Sequence, residues 1–168
     1  MIKDTKQTML FKDFLNKKVE VGFDGGEITS DAGLLFLRES ETQIGIISRV
    51  SRALTEKRKR SYIKHNISQL ITQRVFQIAA GYEDGNDCNE LRNDPIFKIA
   101  CDKKDTLASQ PTMCRFENSP SRSALYRIGC ALVDAFIASY DKAPPAILID
   151  IDDTADPAIG GAAAIAVQ

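Results

Sequence analysis

Apolar positions recur along this chain at two periods, and each change of period marks a new element. In "KKVEVGFDGG", Val19, Val21 and Phe23 alternate with polar residues before Asp24-Gly25-Gly26, which predicts a short β-element at residues 18–23 closed by a turn. "TSDAGLLFLRESE" follows, where Ser30 is placed to cap a helix carrying Leu34, Leu35 and Leu37. After Gly45 the chain turns strongly basic through "ISRVSRALTEKRKRSYIKHN". "ISQLITQRVFQIAAG" then sets Ile67, Leu70, Ile71 and Ile78 on one helical stripe that stops at Gly81. "YEDGNDCNELRNDP" reads as a polar loop or broken helix, with Gly81 and Gly85 free to take unusual backbone angles.

A short amphipathic piece, "IFKIACDKKD", comes next, and Thr112 is the expected cap within "QPTMCRFENSP". The clearest helical signal is "SPSRSALYRIGCALVDAFIASY", with Ser119 as cap and Pro120 at the first position. Its expected buried stripe is Leu125, Ile128, Leu132, Val133, Phe136 and Ile137. Pro144-Pro145 breaks the helix, and "AILIDID" predicts a strand with a buried end. No internal repeat is visible, and the tail from Gly160 is rich in Ala and Gly.

Composition narrows the class. At 168 residues and 43% hydrophobic content, the chain can bury one real core. Its net charge of -1 excludes a uniformly basic nucleic-acid binder but leaves room for a local basic face. No apolar segment approaches the roughly 18–20 residues that span a bilayer, and the first residues lack the apolar core of a signal peptide. Cys88, Cys101, Cys114 and Cys130 are scattered without a CxxC pair beside a single histidine, which reads as free thiols in a cytoplasmic protein and not as a zinc site.

Chemistry concentrates in "ILIDIDDT". Strand alternation puts Asp150 and Asp152 on one face, about 6.5–7 Å apart. Two such carboxylates suit a hard divalent cation that activates a hydroxyl and neutralises phosphate charge. An Asp-rich turn with Asp153 or Asp156 capping backbone amides is the simpler structural alternative. Asp150-Ile151-Asp152-Asp153-Thr154 also resembles the DxDxT opening of haloacid-dehalogenase-type phosphatases, in which Asp150 would be nucleophile and Asp152 general acid/base. Those enzymes build their sheet after this strand, whereas here it falls near the end.

A second resemblance covers far more of the chain. "DGGEITSDAGLLFLRE", "QRVFQIAAGYEDGNDCNELRNDPIFK", "LASQPTMCRFEN" and "LIDIDDT", in that order from about residue 20 to residue 157, resemble bacterial insertion-sequence transposases of the DDE class, specifically the thirteen-eighty group. The resemblance implies a mainly α N-terminal region with the short leading β-element, followed by the first strand of an incomplete RNase-H-like α/β core. The corresponding divisions are a tail at residues 1–17, a helical and DNA-binding region at 18–143, the first core strand at 144–157 and an aberrant tail at 158–168. It also implies three acids holding two Mg²⁺ or Mn²⁺ ions for in-line attack on phosphodiesters. Asp150 and Asp152 both stand as candidates for the first catalytic and metal-binding acid. Implied partners are the terminal inverted repeats of a transposon, and full-length transposase or a second copy, with no membrane.

The chain departs from the family after that acid, where a His-Gly pair and a Gln-rich strand are expected and "ADPAIGGAAAIAVQ" stands instead. Codons for Ala162 to Gln168 read one base later permit Gln-Gln-Gln-Leu-Gln-Phe-Asn, so a frameshift near Pro157 to Gly160 is the expected cause. The second Asp and final Glu of the DDE set would then be missing, leaving a chain unable to cut DNA alone. A non-enzymatic DNA-binding or inhibitory fragment is the alternative function. An unpaired "AILIDI" edge would favour self-association.

For DNA, the candidates are Arg49, Arg52, Lys57, Arg58, Lys59, Arg60 and Lys64, a run interrupted by one acid, Glu56. Arg74, Arg92 and Arg115, within the family-like strings, have two readings, DNA contacts or structural partners of Glu83, Asp94 or Glu117, and the structural one is preferred. His65, beside the basic run, reads as a surface or phosphate-contacting histidine.

Overall fold

A computed structural model of the chain describes residues 8–22 and 29–150. It opens with an antiparallel hairpin, β1 (Thr8–Phe14) and β2 (Lys17–Gly22), in which Met9 pairs with Val21 and Phe11 with Val19. The β-element expected at 18–23 is therefore the second strand of a hairpin, and the stretch expected as a tail holds the first. Leu15 and Asn16 form the turn, both at positive φ (50° and 61°), as a two-residue hairpin loop requires. Met9, Phe11, Val19 and Val21 alternate as the half-buried face, and Phe11 meets Phe36 edge-on at 5.0 Å between centroids.

Seven α-helices follow among the described residues: α1 (Leu34–Ile44), α2 (Ile46–Ala53), α3 (Ile67–Ala79), α4 (Cys88–Leu91), α5 (Pro95–Ala100), α6 (Gln110–Glu117) and α7 (Arg122–Ala138). Gly45 ends α1 and starts α2 at φ +70°, a left-handed corner that suits glycine. Glu41 Oε1 accepts from the Ile47 amide across that corner at 2.8 Å. Arg38 of α1 is buried and donates to the carbonyls of Lys12 and Asp13 and to Asp102, so one guanidinium joins the hairpin to the loop after α5.

Asn66 and Gln69 form a reciprocal capping box at the start of α3, and Gly81 (φ +89°) turns the chain after its end. Gly85 has no such angle. Asp94 caps α5 through the Phe97 amide, with Pro95 at the first turn. The expected caps moved by a few residues. Gly33, not Ser30, precedes α1; Ser109, not Thr112, precedes α6; and Ser121, not Ser119, caps α7 by accepting from the Ala124 amide. In each case several small polar residues compete, and the backbone angle picks the winner.

The main core gathers Leu34, Ile47, Ile71, Phe76, Leu91, Phe97, Ala100, Cys101 and Leu107. A second cluster joins Leu70, Cys88, Ala108 and Met113 under Phe116. Burial pushes the Cys101 thiol up to about 12 and raises that of Cys88, so both behave as small hydrophobes. Of the expected α3 stripe, Leu70 and Ile71 are buried and Ile78 is exposed.

Two expectations about the C-terminal half are overturned. Helix α7 packs on α2 through Ala124, Ile128, Ala131 and Ala135, whereas Leu125, Leu132, Val133, Phe136 and Ile137 stay exposed. Small residues allow the closer helix approach, so they won the contact. Residues 146–150 form no strand, and Leu148 is 97% exposed, because the one described sheet is the two-stranded hairpin and an unpaired segment has no ladder to join. The remaining residues expected in that strand and tail, 151–168, lie outside the described residues.

The side chain of Gln73, 2% exposed, donates to the Ala108 carbonyl at 2.9 Å and accepts from the Ala108 amide at 2.8 Å. This pairing satisfies an otherwise stranded backbone unit at the entrance to α6. Gln73→Leu leaves both groups of Ala108 unpaired at about 1–3 kcal/mol each. The expected outcome in urea denaturation is a loss of about 2–6 kcal/mol with the m-value unchanged.

Candidate nucleic-acid interface

The loop after α2, the loop before α3, the end of α4, helix α6 and the first turns of α7 surround a cavity of about 520 Å³. Its lining includes Lys57, Arg58, Lys64, His65, Arg92, Arg115 and Arg127, with Glu56 the one acid. Glu56 does not offset the whole set. Arg58 Nε donates to Glu56 Oε1 at 2.7 Å, and Arg58 Nη2 donates to the His65 carbonyl at 2.9 Å. That hydrogen bonding holds the Glu56 carboxyl below its ordinary range and raises the guanidinium of Arg58, a self-contained ion pair. Among the described residues, Lys57, Lys64, Arg92, Arg115 and Arg127 have no carboxylate partner.

Lys57 and Lys64 reach the cavity from the connection between α2 and α3, and the three arginines from three other parts of the chain. Arg127 Nε donates to the Ala53 carbonyl at 3.0 Å, tying α7 to the end of α2. Arg115 stands on α6 with only a long contact to Thr112. Arg92 follows α4, and its Nε is buried without a hydrogen-bond partner among the described residues. Leu54, Ile67 and Phe116 supply an apolar wall, and Ser109, Thr112, Ser119 and Ser121 supply hydroxyls.

His65 is 7% exposed, so the expectation of a surface histidine fails; it lines the cavity from beneath. Burial, then the charges of Lys103, Lys64, Arg92 and Arg58, lower its pKa to about 4, which keeps the imidazole neutral near pH 7. A protonated His65 would add one more cation to a crowded site.

The other sequence candidates scatter. Arg49 and Arg52 lie on α2, with Arg52 Nε donating to the Ser48 carbonyl. Lys59 and Arg60 project into solvent, Lys59 lying 5.9 Å from the Tyr62 ring centroid. Arg74 is structural, paired with Glu117 and donating to the Glu83 carbonyl. Arg92 and Arg115 do not make the ion pairs expected of them. Arg127 was not anticipated at all; its nearest signal is that no acid stands three or four residues away on its helix.

Asp150 is exposed at the edge of the described chain, and Asp152 lies outside it. Among the described residues no three His, Cys, Asp or Glu side chains come together as a metal site, so these residues alone do not fit a two-metal centre. No described helix is long and apolar enough to cross a membrane.

A recess lined by cations, hydroxyls and a greasy wall suits a phosphorylated polymer. Residues 11–165 match the family described as Transposase DDE domain group 1, and the chain belongs to that family. DDE transposases bind DNA, use divalent metal ions such as Mg²⁺ or Mn²⁺, and have an RNase-H-like fold. No curated protein and no solved structure matches the chain.

The depressed His65 pKa carries a pH signature. An unfolded chain takes up this proton near pH 6.5, and the folded protein refuses it until about pH 4. Stability from this group is therefore full above pH 6.5 and falls as the pH drops toward 4, by about 3 kcal/mol in all. Urea midpoints measured from pH 7 to pH 4 are expected to fall less steeply in His65→Gln than in the parent.

Proposed function

We propose that this chain is a transposase of the thirteen-eighty group whose helical region holds the terminal inverted repeats of its element. The observation that carries this is the set of five cations, drawn from four parts of the chain, that share one cavity without carboxylate partners among the described residues. Folding places like charges together at an electrostatic cost unless an anion accompanies them. Of the basic run Arg49 to Lys64, Lys57, Arg58 and Lys64 line the same cavity.

Asp150 and Asp152 are the acids assigned to the first position of the DDE set, with Mg²⁺ or Mn²⁺ as the metal when that set is complete. What these 168 residues do by themselves is hold DNA and associate with full-length transposase or another copy. The DxDxT-phosphatase reading has no support from the family match.

A salt-titrated gel shift on the flanking inverted repeat tests the DNA reading. The parent chain is expected to shift the repeat, with log affinity falling linearly in log salt. Removing Lys57, Lys59 and Arg60 together (K57A/K59A/R60A) is expected to flatten that slope by about 2–3, at about 0.9 per lost phosphate contact. No shift at low salt would end the proposal.

The purified chain is expected not to nick the same DNA in Mg²⁺. Nicking that disappears in Asp152→Ala would show that a complete acid set forms within it.

A further inference from the structure

The cavity is shaped for more than the outside of a double helix. Duplex phosphates lie on a broad convex rail, which exposed side chains such as Lys59 and Arg60 reach from outside. Arg92 is different: it sits partly buried inside the recess, with its Nε unpartnered among the described residues. A volume of about 520 Å³ is the size of a small-molecule site, and its lining combines charge with an apolar surface at Leu54, Ile67 and Phe116. Inorganic anions have no use for that wall. A nucleotide has a use for both parts, since its phosphate seeks guanidinium groups and its base seeks a flat apolar contact.

We propose that this cavity receives one nucleotide of an unpaired DNA strand, its phosphate against Arg92 and Arg115 and its base against the wall formed by Leu54, Ile67 and Phe116. The inference rests on the DNA-holding reading above and specifies the state of the DNA: an end that is frayed or has one nucleotide turned out of the stack. Leaving the stack costs a few kcal/mol in a paired duplex and far less at a strand end, so the pocket selects ends over interior sequence. Free nucleoside phosphates share this chemistry, and the test separates them from a strand.

The test uses the untagged chain, in which His65 is the one histidine and its imidazole is a single reporter on the cavity floor. Four probes are titrated by calorimetry: 5′-phosphorylated hexathymidylate, thymidine monophosphate, inorganic phosphate and a blunt duplex of the inverted repeat. The hexathymidylate is expected to bind at least tenfold more tightly than either small anion and to raise the His65 pKa in an NMR titration, because a phosphate offsets the neighbouring cations. Two variants localise it. Arg115→Gln removes an exposed guanidinium, and Thr112→Phe fills the cavity without changing charge; both are checked for folding by circular dichroism. Each is expected to weaken hexathymidylate at least tenfold. Unchanged hexathymidylate binding in Thr112→Phe, a silent His65, or inorganic phosphate or the monophosphate binding as tightly as the strand would each overturn the proposal. If the duplex still binds in those cases, the DNA-holding reading survives alone; if neither duplex nor strand binds the parent chain, both fall.

Discussion

Everything around the basic recess depends on one buried amide. Gln73 sits in the middle of α3 and pairs with both backbone groups of Ala108, a residue 35 positions away. No other residue type makes that exchange as well, because only a carboxamide offers a donor and an acceptor side by side. The pairing fixes where the chain leaves the core after Leu107 and so where α6 begins. From there Arg115 and Phe116 take their places in the cavity, while Met113 and Ala108 seal the second core cluster beneath. Gln77, one turn on, repeats the theme by accepting from the Cys88 thiol and so steadying α4, which leads into Arg92. Two glutamines on one helical face thus set the positions of two arginines that they never touch.

The electrostatics follow from that placement. Five cations stand around one recess without carboxylate partners among the described residues: they are spread over several parts of the chain, most stay partly hydrated, and the histidine beside them is held neutral. Glu56 is spent on Arg58 and does not compensate the rest. A site intended only to be stable would carry nearby carboxylates, as Arg74 does with Glu117 on the other side of α6. Arg74 and Arg92 are both half-buried, one paired with Glu117 and the other without a carboxylate partner among the described residues, and this contrast is what motivates the proposal of an anion site.

Sequence patterns revealed most of the helices and little of the recess. Helix α3 was legible because a 3.6-residue stripe and a terminal glycine agree. The strand Thr8–Phe14 was not, because its charged residues break the alternation and its turn is Leu-Asn, not a glycine pair. Helix α7 was located correctly but turned the wrong way, since periodicity finds an apolar stripe without saying what meets it. Its larger side chains face outward while alanines make the contact with α2. The segment at 146–150 reads as a strand from composition, yet a strand is defined by a neighbour that no local pattern can supply. The recess was illegible for a related reason: Arg92, Arg115 and Arg127 lie far apart in sequence, and only the packing of α2, α4, α6 and α7 brings them together. The four family-like strings reached further than periodicity did, because they encode the whole fold and not one element.

The corner at Gly45 sets the geometry of the gateway from a distance. Helix α2 leaves that glycine and runs eight residues, about 12 Å, to Ala53, whose carbonyl is held by Arg127. It therefore works as a lever arm: tilting it by about 10° at the glycine moves the far end by about 2 Å. Leu54 and the following basic loop continue from that far end, so the direction the chain takes at Gly45 carries through to where they enter the lining.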